Sequence, residues 1–128
     1  MKKCRLDKSC LLRKTREYNL VYRNGRRLRG KGFMLVCLQH KGMDYAGTIG
    51  AQGAALRRLG ISVQRKTGNA VRRNRIKRII RETFRLYPHI FPEASDIVFA
   101  VRPDFSLHGM HAVRAAVAEL TAEFISAQ

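Results

Sequence analysis

Acidic side chains are scarce in this sequence: nine Asp plus Glu stand against 26 Lys plus Arg in 128 residues. The nine show no clustering of the kind a two-metal nuclease centre needs, which argues against a protein-only nuclease. Cysteine is also scarce, and odd in number. Cys4, Cys10 and Cys37 lack metal-ligand spacing, so reduced thiols in a cytoplasmic protein are expected, with Cys37 in the core. The longest apolar run, Phe33 to Leu38, falls far short of the roughly 20 residues of a membrane span. Met1 to Lys14 has scattered cations but no apolar stretch of the secretory kind. No fixed-period repeat is visible. Gly47-x-x-Gly50-x-x-Gly53 lacks the Gly-Lys-Ser/Thr ending of a phosphate loop. His108 and His111 have no evident third ligand, and no nucleophile–base arrangement can be argued from the spacing.

What is present is a core and a charge. Hydrophobic residues make up 45%, enough for one domain with one core. The formal net charge is +17 and the sequence pI about 11.1. A charge of that size strains a small folded domain by self-repulsion, unless a polyanion neutralises it. The excess is uneven: residues 1–31 carry a net +10, residues 65–85 a net +8, and residues 86–128 a net −3. Such segregation points to a directed binding surface.

The pattern predicts a basic arm over residues 1–14 and a single α+β domain over 15–128. Thr15 is a candidate cap for a helix to about Asn24, with Gly25 as its stop. Tyr18, Val21 and Tyr22 give that helix one apolar-aromatic face. Gly25 to Gly32 reads as a basic turn. Phe33 to Gln39 is a strand with apolar residues at both parities, so both its faces are covered or one of them binds something. Residues 40–55, rich in glycine, read as a flexible connection, and Leu56 to Gln64 as a second strand. Asn69 is a candidate N-cap for a helix from Ala70 to about Tyr87, stopped by Pro88. Asp96 to Arg102 is a third strand. A last helix runs from about His108 to Ile125, with Met110, Val113, Val117, Leu120 and Phe124 on one stripe. The whole is a two-layer α/β sandwich with a strand–helix–strand crossover.

At 100° per residue, Ile76, Ile79, Ile80, Thr83, Phe84 and Tyr87 share one face of the Ala70–Tyr87 helix. Asn74, Lys77, Arg78, Arg81 and Arg85 share the opposite one, with Arg75 at its margin. A solvated face is the plain alternative, but such faces mix signs at i, i+4, and here only Glu82 is acidic. Arg72, Arg73, Arg75 and Lys77 also crowd the first two turns, where the helix dipole disfavours cations by about 0.3–1 kcal/mol each in the first turn. A phosphate-binding surface accounts for both observations. The preponderance of arginine favours RNA over DNA. Tyr18 and Tyr22, beside the other basic segment, suit the stacking of unpaired bases, with ordinary core packing as the alternative.

The run from Gly60 to Glu82 contains Lys66-x-Gly68-x-Ala70-Val71-x-Arg73-Asn74-x-x-Lys77-Arg78-x-x-Arg81. It resembles the signature of the protein subunit of bacterial ribonuclease P. Weaker likeness extends from Tyr18 to Gly25, to Phe33–Val36, and to the Asp96–Arg102 strand and its following helix. The resemblance implies a fold like the second domain of ribosomal protein S5, with a left-handed crossover carrying the basic helix. It implies binding to a catalytic RNA subunit and to precursor tRNA, whose 5′ leader is removed by that RNA with its Mg²⁺ ions. Neither a membrane nor an obligate protein partner is expected.

By that likeness, joined to the helix analysis, the candidate RNA-binding residues are Lys66, Asn69, Arg72, Arg73, Asn74, Arg75, Lys77, Arg78 and Arg81. Tyr18, Tyr22, Met34, Val36 and Ser62 are candidates for a cleft holding the single-stranded leader. No catalytic or metal-ligating residue is assigned to the protein itself. A ribosomal or general RNA-binding protein is the alternative; it accounts for the charge but not for the motif.

Overall fold

The computed structural model describes residues 10–39 and 57–126, with no side-chain description beyond residue 123. Most of the basic arm with Cys4, the Gly-rich stretch 40–55, Leu56 and the Phe124 side chain lie outside the described residues. Among these residues three α-helices and four strands follow in the order α1 (Thr15–Asn24), β1 (Arg26–Arg29), β2 (Phe33–Gln39), β3 (Arg57–Val63), α2 (Ala70–Leu86), β4 (Ser95–Val101) and α3 (Met110–Ser126). The sheet order is β1-β2-β4-β3. β2 is antiparallel to both its neighbours, whereas β3 and β4 run parallel and are joined through α2. This is the expected α+β architecture with its strand–helix–strand crossover, and helices lie on both faces of the sheet.

Alternation sorts the strand residues onto two faces. Phe33, Leu35, Cys37, Leu59, Ile97, Phe99 and Val101 turn towards α2 and α3, where they pack with Ile76, Ile80, Phe84, Val113 and Val117. Phe33 stacks on Phe99 with ring centroids 4.9 Å apart. Full burial of each such side chain stabilises the fold by about 1.5–3 kcal/mol. Val36 and Val98 turn the other way and pack with Val21 of α1 and with Leu12. The apolar residues at both parities of β2 therefore reflect a strand sandwiched between two layers. Burial pushes the Cys37 thiol up to about 12, so it behaves as an inert apolar group.

Three local expectations are corrected. Gly25 to Gly32 is not simply a turn, because Arg26–Arg29 forms edge strand β1, antiparallel to β2. Its only apolar residue, Leu28, faces the core, while exposed arginines hide the alternation. Thr15 is the first helical residue of α1, and Lys14 is the N-cap. The Glu17 carboxylate reaches back instead, accepting from the backbone N–H of Arg13 (2.9 Å) and Lys14 (3.1 Å). Finally, residues 10–12 belong to the folded unit. Leu11 bridges to Leu59, the Leu12 N–H donates to the Leu59 carbonyl at 2.8 Å, and Leu12 is buried beneath α1.

α2 forms as the pattern requires. Asn69 is its N-cap, with Oδ1 accepting from the Arg72 N–H at 2.9 Å. Ile76, Ile80, Thr83 and Phe84 are buried, and the helix stops two residues before Pro88. α3 starts at Met110 rather than His108, after Gly109 with φ of 88°. Among the described residues, no helix is long and apolar enough to cross a membrane.

Candidate nucleic-acid interface

The polar side of α2 is a cationic surface with little internal compensation. Asn74, Arg75, Arg78 and Arg81 are exposed, Arg73 and Lys77 are partly exposed, and Lys66 stands free on the short turn before the helix. Among the described residues, no carboxylate lies within ion-pair distance of Lys66, Arg73, Arg75, Lys77, Arg78 or Arg81. At the far end, Arg85 is held by Glu82 at 2.6 Å, so the open part of the face runs from Arg73 to Arg81.

Two of the predicted residues do structural work. The Asn69 carboxamide oxygen is spent on the helix cap. Arg72 is a bracket: Nε donates to the Thr67 carbonyl at 2.9 Å and Nη2 to the Phe105 carbonyl at 3.1 Å. It ties the start of α2 to the loop before α3. The run Arg72-Arg73 cannot by itself reveal which of its arginines turns inward.

The second site lies on the opposite face of the sheet. Tyr18 is half-buried, and its hydroxyl accepts from the Ile61 N–H at 3.2 Å and donates to the Leu12 carbonyl at 3.4 Å. Burial pushes this phenol up, against the opposing hydrogen bond from Ile61. The ring packs on Gly60, where an added Cβ would lie 2.8 Å from it. Gly60→Ala therefore displaces Tyr18 and is expected to cost about 1–3 kcal/mol, read as a lowered melting temperature. An unchanged melting curve would contradict this packing.

Tyr22 follows one turn on and is partly open. Met34, Ala100 and Ser62 stand side by side in register on β2, β4 and β3, all partly exposed. Tyr18, Tyr22, Met34 and Ser62 thus share the α1 side of the sheet. Val36 offers no open surface there. It is 0% exposed, packed in the cluster that contains Val21, because its row of the sheet is the one α1 covers. The sequence reading also missed two residues on this face. Arg27 and Arg29 alternate with inward Leu28 and stand opposite Val36 and Met34. The Arg-Leu-Arg alternation between Gly25 and Gly30 was the available signal.

α1 is fixed to the sheet by a buried charge network. Arg58 donates from Nε and Nη2 to the two carboxylate oxygens of Asp96, both at 2.8 Å, and from Nη1 to Glu17 at 3.1 Å. Burial pushes the Glu17 carboxyl up, but the N–H groups of Arg13 and Lys14 and the Arg58 guanidinium outweigh it and hold the group below its ordinary value. Among the described residues, no three His, Cys, Asp or Glu side chains come together in a way that could hold a metal ion. The described donor set therefore does not fit a Mg²⁺ site.

An α+β domain with a cationic helix face on one side, mostly without acidic partners among the described residues, and two tyrosines beside the sheet on the other is, by class, a nucleic-acid-binding protein. The comparisons make the class particular. The family model for Ribonuclease P matches residues 6–124. The ribonuclease P protein component of Desulfotalea psychrophila is 49% identical over 120 residues, covering 94% of this chain and 90% of that one. The Thermotoga maritima component is 37% identical over 95 residues, 74% of this chain and 71% of that one. The solved RNase P protein of Thermotoga maritima superposes with a TM-score of 0.65 at 34% identity, covering 85% and 92% of the two chains. That of Staphylococcus aureus gives 0.66 at 26%, covering 90% and 94%. This chain belongs to the ribonuclease P protein family, the protein component of the tRNA 5′-processing enzyme, and has an RNA partner. A ribosomal or general RNA-binding role is not favoured.

Proposed function

We propose that the open face of α2 docks on the catalytic RNA subunit of ribonuclease P, and that the cleft between α1 and the sheet holds the single-stranded 5′ leader of precursor tRNA. The observation that carries the first half is the stretch from Arg73 to Arg81, which lacks any acidic partner among the described residues. Phosphates supply the missing counter-charge, and released counterions supply much of the free energy. The protein reduces repulsion between two RNAs and gives the substrate a handle. Strand cleavage itself belongs to the RNA, which brings its own Mg²⁺; the divalent ion supplies Lewis-acid and water-activating chemistry there. The assembly works in the cytoplasm without an obligate second protein.

The experiment is reconstitution: adding the protein to the RNA subunit at low Mg²⁺ restores 5′ processing. Failure to stimulate under those conditions, or cleavage by the protein free of RNA, would sink the proposal. The leader half has its own test. Tyr22→Ala removes a stacking platform worth about 1–3 kcal/mol. It is expected to weaken precursor tRNA about tenfold or more while leaving mature tRNA unchanged. Equal loss for both substrates would remove the leader from the cleft.

A further inference from the structure

We propose that Arg27 and Arg29 of edge strand β1 form a phosphate rail on the rim of the tyrosine cleft. They grip successive phosphates of a single-stranded RNA whose bases turn inward over Tyr22 and Met34. The inference rests on the leader-cleft reading and adds to it the residues that hold the backbone and the direction in which it runs.

Three observations converge on β1. First, register turns both arginines to the α1 side: Arg27 stands opposite Val36 and Arg29 opposite Met34, while Leu28 between them packs into the core. Arg29, at the strand end, also borders the groove beside Phe33 and Glu119 of α3. Two residues apart on one face of a strand means about 6.8 Å along the chain. That is close to the separation of neighbouring phosphates in an extended single strand, so the two guanidiniums can take one phosphate each.

Second, both arginines are exposed, and neither has a carboxylate within ion-pair distance among the described residues. Arg27 spends one donor, Nη2, on the Tyr22 carbonyl at 2.9 Å. Most of its guanidinium donors stay available. A charged edge strand alone would discourage unwanted pairing, but that role does not require two arginines on the α1 side.

Third, Arg27 couples rail and platform. Its guanidinium carbon lies 5.9 Å from the centroid of the Tyr22 ring. An anion held by Arg27 is thereby beside the aromatic ring on which a base stacks, so one nucleotide can satisfy both. The backbone then follows β1 along the sheet edge, with the bases laid across β2.

The test uses the enzyme reconstituted with its RNA subunit and precursor tRNAs carrying short or long leaders. The double variant Arg27→Ser, Arg29→Ser is expected to weaken the long-leader precursor about tenfold and to flatten its log–log salt dependence by about 1.4, or 0.7 per lost phosphate contact. The short-leader precursor and mature tRNA are unaffected. With wild-type protein, uncharged methylphosphonate linkages in the leader reproduce the loss, and in the double variant they add nothing. Full long-leader affinity and salt slope in the double variant, or indifference of the wild-type protein to neutral linkages, overturns the rail. If Tyr22→Ala still loses leader discrimination in that case, the cleft stands without the rail. If neither variant distinguishes leaders, the cleft reading falls and takes the rail with it.

Discussion

Replacing Arg73 and Arg78 together by alanine is expected to lower affinity for the RNA subunit by about 10- to 100-fold, or about 1.4–2.8 kcal/mol. Both side chains reach the open face of α2 without a carboxylate partner among the described residues. Removing two phosphate contacts also flattens the log–log salt dependence by about 1.4–1.8. Stability should move the other way. Arg73 lies close to the positive end of the helix dipole among other cations, so the free protein loses repulsion when it is removed. Among the described residues its side chain makes a long hydrogen bond, Nε donating to the Asn69 carbonyl at 3.5 Å. The double variant is therefore expected to melt at or slightly above the wild-type temperature while binding RNA worse. Affinity unchanged, measured at matched salt, would show the face to be merely solvated. A large fall in melting temperature would show instead that the arginines serve the fold.

Arg58→Leu should have the largest effect on the fold. Asp96 is 2% exposed and accepts both its short hydrogen bonds from Arg58. Without the guanidinium, the buried carboxylate loses both of these bonds and its opposite charge, at a cost of about 3–5 kcal/mol. For a domain of this size that is a fall of about 10–20 °C in melting temperature. Arg58→Lys keeps the charge but not the planar fork, and should recover only part of the loss. Converting the pair together, Arg58→Met with Asp96→Leu, should recover more than either single change, because the buried Asp96 charge goes with its partner and the more exposed Glu17 keeps its backbone donors Arg13 and Lys14. A double variant as unstable as the worse single one would contradict that account. The Glu17 limb adds a pH dependence. Its carboxyl sits below the ordinary 4.5 in the folded protein. Its contribution is complete above about pH 4.5 and is lost as pH falls through the lower folded value. Glu17→Gln should flatten acid unfolding in that window; an unaltered acid limb would remove Glu17 from the network.

Why was so much of this legible beforehand? α2 carries strong and mutually consistent signals. Asn69 caps it, isoleucines at helical spacing bury one side, and Pro88 follows its end. β2 and β4 announce themselves by apolar runs at both parities, which the two-layer cover explains. β1 is different. A single inward leucine among arginines leaves almost no periodic signal, and strand pairing with β2 decides the matter, a long-range effect that no window of sequence contains. The same holds for Arg72 and Val36. Nothing in the run Arg72-Arg73 tells which guanidinium turns back to the Thr67 and Phe105 carbonyls. Val36 alternates correctly onto the α1 side of the sheet, but α1 lies over its row, so it is structural floor rather than binding surface. Periodicity reports which face a residue occupies; only packing reports what covers that face.

The two margins of the sheet are guarded by different means. Beyond β3, the backbone of Leu11 and Leu12 occupies part of the strand's outer hydrogen-bonding row. At β1 no such cover is described, and like charges on Arg26, Arg27 and Arg29 repel a second copy that would add itself strand to strand. The first guard is permanent, whereas the second weakens when an anion neutralises those side chains. Trimming the chain to Arg13 would therefore create a sticky molecule rather than a merely shorter one. In concentrated stocks held without nucleic acid, strong salt should favour self-association by screening the arginines that keep copies apart.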